Sequence, residues 1–219
     1  MVSKTPDEEP TLDIMLTQTQ ALGSTTNVFY SKQNEKFGIS LYGSGHYQNA
    51  YDPENDGFTN LPKTISISFN PKFFYYPSDK TTFWFGLNGT YDDRIGGDIT
   101  KIESGENGIH QYTEENISKR VSSQSVYNTQ LDSISSLNIK NSLSFFDRKL
   151  TIPNFSFDGK QTNTFTEITY NRISQKSDWI IGANLYTSNF NENDNTSLQR
   201  DQKDLTYGMF VNNIYDILD

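Results

Sequence analysis

Apolar and polar side chains alternate with a period of two through most of the chain. Between Thr81 and Tyr91, the residues Phe83, Phe85, Leu87, Gly89 and Tyr91 fall on one face. Thr82, Trp84, Gly86, Asn88 and Thr90 fall on the other. The preceding segment repeats this, with Ile65, Ile67, Phe69, Phe73 and Tyr75 opposed to Ser66, Ser68, Asn70 and Lys72. Alternation of this kind predicts strands that are greasy on one side only. The same reading covers Phe37 to Leu41, Leu137 to Phe145 and Trp179 to Leu185, and weaker strands are predicted near 11–20, 26–32, 120–131, 161–173 and 206–216. The sum is about ten strands and an all-β chain that is nearly free of helix.

The connections sort by length. Short turns are predicted at Gln33-Asn34-Glu35, Pro77-Ser78-Asp79-Lys80, Asp132-Ser133-Ile134 and Gln175-Lys176-Ser177. Long polar stretches without helical patterning lie between them, near 46–62, 92–118, 150–160 and 188–204, and only the connection around Ala21 to Thr25 breaks the rule by being short. In an antiparallel up-and-down meander, successive connections lie at opposite ends of the sheet, so short turns gather at one end and long loops at the other. Outer-membrane barrels show that asymmetry. Strands of about 11 to 14 residues exceed the roughly 5 to 6 usual in soluble sheets and suit a tilted crossing of hydrocarbon. Aromatics at strand ends, such as Phe73 to Tyr76, Tyr91, Tyr170, Trp179, Tyr186 and Tyr215, stand where an interfacial girdle would be. A soluble β-sandwich that binds carbohydrate through exposed aromatics alternates too and is the rival reading.

Composition then narrows the partners. The 219 residues carry 18 basic and 27 acidic side chains, a net charge of −9, so nucleic acid and anionic surfaces lack a non-specific electrostatic pull. The absence of cysteine removes disulfides, thiolate metal sites and a cysteine nucleophile. A mean hydropathy of −0.69, with no apolar run long enough for a helical span, leaves a barrel as the membrane-crossing option. The first ten residues contain no apolar signal-peptide core. Neither a Gly-x-Ser-x-Gly elbow, nor a phosphate-cradling glycine loop, nor a His-Glu-x-x-His helix is present. A non-enzymatic protein is expected.

Several stretches resemble the barrel of TonB-dependent outer-membrane receptors, in particular those of Bacteroidetes for iron siderophores. Val2-Ser3-Lys4-Thr5-Pro6 is similar to the segment that leaves the plug and enters the first strand. Lys36-Phe37-Gly38, Tyr51-Asp52-Pro53 with Gly57-Phe58, and Phe83 to Asp98 continue the series. Ser144 to Leu150, Ile181 to Thr187 and Tyr207 to Asn213 complete it. The resemblance implies that residues 1–219 are part of a barrel of roughly 22 strands, with the plug domain and the distal strands absent. It also implies residence in the bacterial outer membrane. The implied partners are outer-membrane lipid, the plug and remaining barrel of a parent receptor, the TonB complex acting through that plug, and a siderophore or similar ligand.

Two loop sites are candidates. Asp52-Pro53-Glu54-Asn55-Asp56-Gly57 spaces carboxylates as in the first half of an EF-hand, which would make Asp52, Glu54 and Asp56 the ligands of a Ca2+ ion. Lys63 stands where the closing glutamate would be, so a solvated acidic loop tip is the competing reading. His110, Gln111 and Tyr112, in the longest loop, are the candidate contacts for an incoming ligand.

Overall fold

The computed structural model describes residues 5–106, 108–193 and 200–215. Among these residues, ten strands form one antiparallel sheet in strict sequence order. They are β1 (Thr11–Gln18), β2 (Ser24–Gln33), β3 (Phe37–Gln48), β4 (Lys63–Ser78), β5 (Thr81–Gly97), β6 (Thr113–Gln130), β7 (Ser135–Ile152), β8 (Phe155–Ile173), β9 (Ser177–Glu192) and β10 (Gln202–Tyr215), with a short helix α1 (Ile99–Ser104) between β5 and β6. The sheet is open, since its order runs from β1 to β10 without closing. A sandwich needs two packed layers, and all ten strands lie in one sheet, which sets the carbohydrate-binding sandwich aside.

Register carries the alternation across the whole sheet. One row runs Ile14, Val28, Gly43, Phe69, Gly89, Val121, Phe145, each paired with the next. Another runs Phe37, Tyr75, Phe83, Tyr127, Ile139, Ile168, Ala183, Met209. The apolar side chains of this face are uncovered: Ile67 is 56% exposed, Phe69 53% and Met209 89%, and apart from prolines and glycines the buried apolar residues among those described are Ala21 and Phe74. A water-soluble domain hides such rows in a core. Among the described residues, no protein layer lies upon the apolar face.

The opposite face satisfies polar groups against one another. Asn88 donates to Asn70 and Asn138 to Asn128 across neighbouring strands, Lys140 pairs with Glu167 at 2.9 Å, and Gln161 donates to Ser188 at 3.0 Å. Lys72 lies 5.0 Å from the centre of the Trp84 ring. Aromatic rings on this face also cover glycines. A Cβ on Gly182 would fall 2.3 Å from Phe210, and one on Gly159 2.6 Å from Phe157. The chain start crosses this face as well: Pro6 is buried over Gly38, and Gln33 donates its N–H to the Asp7 carbonyl at 2.7 Å. Of the Val2 to Pro6 segment, Thr5 and Pro6 lie within the described residues.

The ends of the sheet depart from expectation in three ways. The stretch 150–160 is strand and not loop: β7 and β8 continue to Ile152 and Phe155 around Pro153 and Asn154. Proline fixes φ near −65° and Asn154 takes φ 63°, the pattern of a type II turn. Likewise, β5 and β6 run to Gly97 and from Thr113, which reduces the loop expected at 92–118 to residues 98–112. That loop also holds α1, capped by Asp98 and Gly105. Ladder hydrogen bonds do not depend on side-chain polarity, so strands persist where both faces meet water and alternation fades. Two short connections, residues 19–23 and 153–154, therefore share an end with the long ones, 49–62 and 98–112.

Candidate functional site

At this loop end the connections 49–62 and 98–112 are stitched into one cap over β4 to β6. Phe58 bridges to Asp98, Thr59 donates to the Gly97 carbonyl at 2.9 Å, and Ile99 donates to the Gly57 carbonyl at 3.0 Å. Gly97, at φ 121°, lets the backbone pass Tyr112, whose carbonyl a Cβ would strike at 2.3 Å. The Tyr112 carbonyl accepts the Asp98 N–H at 2.7 Å instead.

Asp98 organises the cap. It is 1% exposed, and its carboxylate accepts N–H groups from Lys101 at 3.1 Å, His110 at 2.8 Å and Gln111 at 3.1 Å. Burial pushes this carboxyl upward, but the backbone N–H groups of Lys101, His110, Gln111 and Thr100 outweigh it and hold it below the ordinary carboxylate range. Gly108 permits this approach, since a Cβ there would collide with the carboxylate.

The candidate ligand-contact residues take different parts. His110 Nε2 lies 2.9 Å from the Asp56 carbonyl; a carbonyl only accepts, so this nitrogen carries the proton. The ring meets Phe58 edge-on at 5.4 Å, and His110 thus ties the two loops together. Gln111 turns the chain at φ 52° and gives its N–H to Asp98. Tyr112 stacks with Phe58 at 6.3 Å and lines a cavity of about 400 Å³ with Arg94, Gly96, Glu114 and Asn116. Register puts Arg94, Glu114 and Asn116 on the polar face. Burial and the neighbouring Glu114, which accepts its hydroxyl at 3.3 Å, push the Tyr112 phenol upward. Arg94 pairs with Asp92 at 2.7 Å, and Asn116 accepts from Arg148 at 3.1 Å.

The carboxylates Asp52, Glu54 and Asp56 share the loop 49–62 but not a centre. Asp52 accepts the Gly57 N–H at 2.8 Å and Asp56 the Phe58 N–H at 2.9 Å, which shapes the turn, while Glu54 is exposed. Among the described residues no three His, Asp or Glu side chains gather as a metal site would require. Periodicity missed Phe58, Arg94, Glu114 and Asn116 as cavity residues, because only the non-local pairing of two loops brings them together. An aspartate before a helical turn was the available signal for Asp98.

The fold is an open antiparallel meander of ten strands among the described residues, with one apolar and one polar face. Over 99% of its length the chain is similar to a structure described as the copper transporter OprC, with a TM-score of 0.51 and 8% identity. It spans 44% of that protein. The ferric yersiniabactin uptake receptor FyuA from Yersinia pestis also matches over 96% of the chain and 39% of its own length, at 12% identity and a TM-score of 0.43. No family model matches the chain, and no curated protein matches it in sequence.

Proposed function

We infer that this chain forms barrel wall in a bacterial outer-membrane receptor of the TonB-dependent kind, which admits a scarce nutrient such as an iron-siderophore complex. The observation that carries the reading is the single sheet whose apolar rows no other layer covers. Exposed to water, such rows favour aggregation; in hydrocarbon they are at home, and the paired polar face suits a wet lumen. In this reading the polar face meets a plug domain. The cavity beneath the two-loop cap receives part of the incoming ligand, with Tyr112 and Phe58 offering aromatic faces and Arg94, Glu114 and Asn116 polar contacts.

Refolding into detergent micelles and into lipid vesicles tests the membrane role. The expected product has β-sheet circular dichroism and strands protected from protease only when amphiphile is present. A monodisperse monomer in plain buffer with the same spectrum would overturn the reading. For the ligand, uptake of a radiolabelled ferric siderophore by cells making the whole receptor should fall with Tyr112→Ala, and unchanged uptake of every siderophore offered would remove that part.

A further inference from the structure

Two strands of the sheet have a neighbour on one side only. β1 pairs with β2 and β10 with β9, and the other flank of each is open among the described residues. Leu16 on β1 is 73% exposed and Tyr207 on β10 78%, against 48% for Ile168 on the same face in mid-sheet. Neither flank is protected. Stable sheet edges discourage a further strand with proline, charge or a bulge. β1 and β10 contain no proline, both ladders run without a register shift, and from Leu205 to Tyr215 no side chain is charged. The one charged residue of β1, Asp13, lies on the polar face, in the row of Asn70 and Asn88. In hydrocarbon an unpaired edge does not persist.

Topology decides which strand fits. The sheet has an even number of strands in sequence order, so β1 and β10 run in opposite directions. The β10 flank of one copy and the β1 flank of another therefore meet antiparallel, with the apolar faces continuous and the long loops at one end. The stagger fits as well. Followed strand by strand, Thr11 at the start of β1 is level with Thr206, yet β10 runs on to Tyr215. With β1 of a second copy set against this overhang and Leu12 beside Tyr215, the register advances about one residue per strand. For a rise of about 3.3 Å and a strand spacing of about 4.7 Å, that is a tilt of about 35°, at which barrels close.

Resting on the membrane-wall reading, we propose that the chain by itself completes its wall with a second copy. β10 of each copy pairs with β1 of the other, and two ten-stranded sheets close into one twofold barrel. Leu16 lies beside Val211 and Ile14 beside Asn213 across each seam. A third sheet would exceed the roughly 8 to 26 strands of most outer-membrane barrels.

Native mass spectrometry and disulfide trapping of the chain refolded in neutral detergent test this. The protein should be a dimer. It has no cysteine of its own, so oxidation of Leu16→Cys/Val211→Cys should give a covalent dimer as the main product on a denaturing gel. Leu16→Cys/Ile168→Cys, whose second cysteine lies inside the sheet, should give none. A monomer that keeps its β-sheet spectrum would leave the flanks to strands outside residues 1–219 and overturn the proposal. A ladder of linked multimers, or a dimer trapped by Leu16→Cys alone, would overturn it too, since the first means open stacking and the second sets β1 against β1. A chain that never enters micelles fails earlier, at the membrane reading itself, so the two failures are distinct.

Discussion

The Asp98 carboxylate accepts the His110 N–H at 2.8 Å across twelve residues of loop, while its other oxygen accepts from Lys101 at 3.1 Å. One side chain thus closes the 98–112 connection at both ends. Through the His110 ring on the Asp56 carbonyl it also fixes the neighbouring loop. An amide in its place keeps one acceptor and turns N–H groups toward N–H groups. Asp98→Asn should loosen the cap and leave the sheet intact. Trypsin cleavage after Lys101, the only basic residue between Arg94 and Lys119, should become severalfold faster in the variant, and an unchanged rate would show that Asp98 is not the clamp.

The same carboxylate sets a pH dependence. Its folded-state value is lowered, because the N–H bonds outweigh burial, so its stabilising effect is complete above the unfolded carboxylate value of about 3.9. The effect is lost as pH falls through the lower folded value. Hydrogen exchange should find the His110 and Gln111 amides protected from neutral pH down to about 4, with protection lost below. In Asp98→Asn the profile should be flat across that window. Loss of protection already near neutrality would contradict the assignment.

Faces of the wall can be separated by two adjacent substitutions. Leu87→Arg places a charge on the apolar face near mid-height and should cost roughly 2–4 kcal/mol in a bilayer. Asn88→Arg, on the polar face beside Asn70, should cost much less. Urea titration of vesicle-refolded protein measures both, and equal costs would reverse or abolish the assignment of faces.

Gly182 tests how aromatic rings pack on the polar face. Register pairs it with Phe210, whose ring a Cβ would strike at 2.3 Å. Gly182→Ala should destabilise by about 1–3 kcal/mol through overpacking. Adding Phe210→Ala should remove most of that penalty, so a double-mutant cycle with additive costs would contradict the contact.

Much of the wall was legible in the sequence. Alternation placed Asn70, Lys72, Asn88, Asn138 and Lys140 together on one face, and the structure pairs each of them across that face. It failed toward the strand ends. From Asp92 to Gly97, Thr113 to Ser118 and Leu150 to Lys160 the row of the apolar face gives out, so polarity no longer tells strand from loop, although the ladder continues. Helix α1, six residues long, is too short to show a period. The cap was hidden for another reason. Its decisive contacts join residues far apart in sequence, such as Asp56 and His110, 54 positions apart, and no local pattern records a loop-to-loop bridge.

The central claim is that one face of every strand meets hydrocarbon, and a cysteine-free chain allows it to be read position by position. Single cysteines introduced from Phe83 to Tyr91, spin-labelled and reconstituted in vesicles, report contact with oxygen in lipid and with a nickel chelate in water. Labels at 83, 85, 87, 89 and 91 should favour oxygen and those at 84, 86, 88 and 90 the chelate, a period of two along β5. Equal accessibility at odd and even positions would contradict the account.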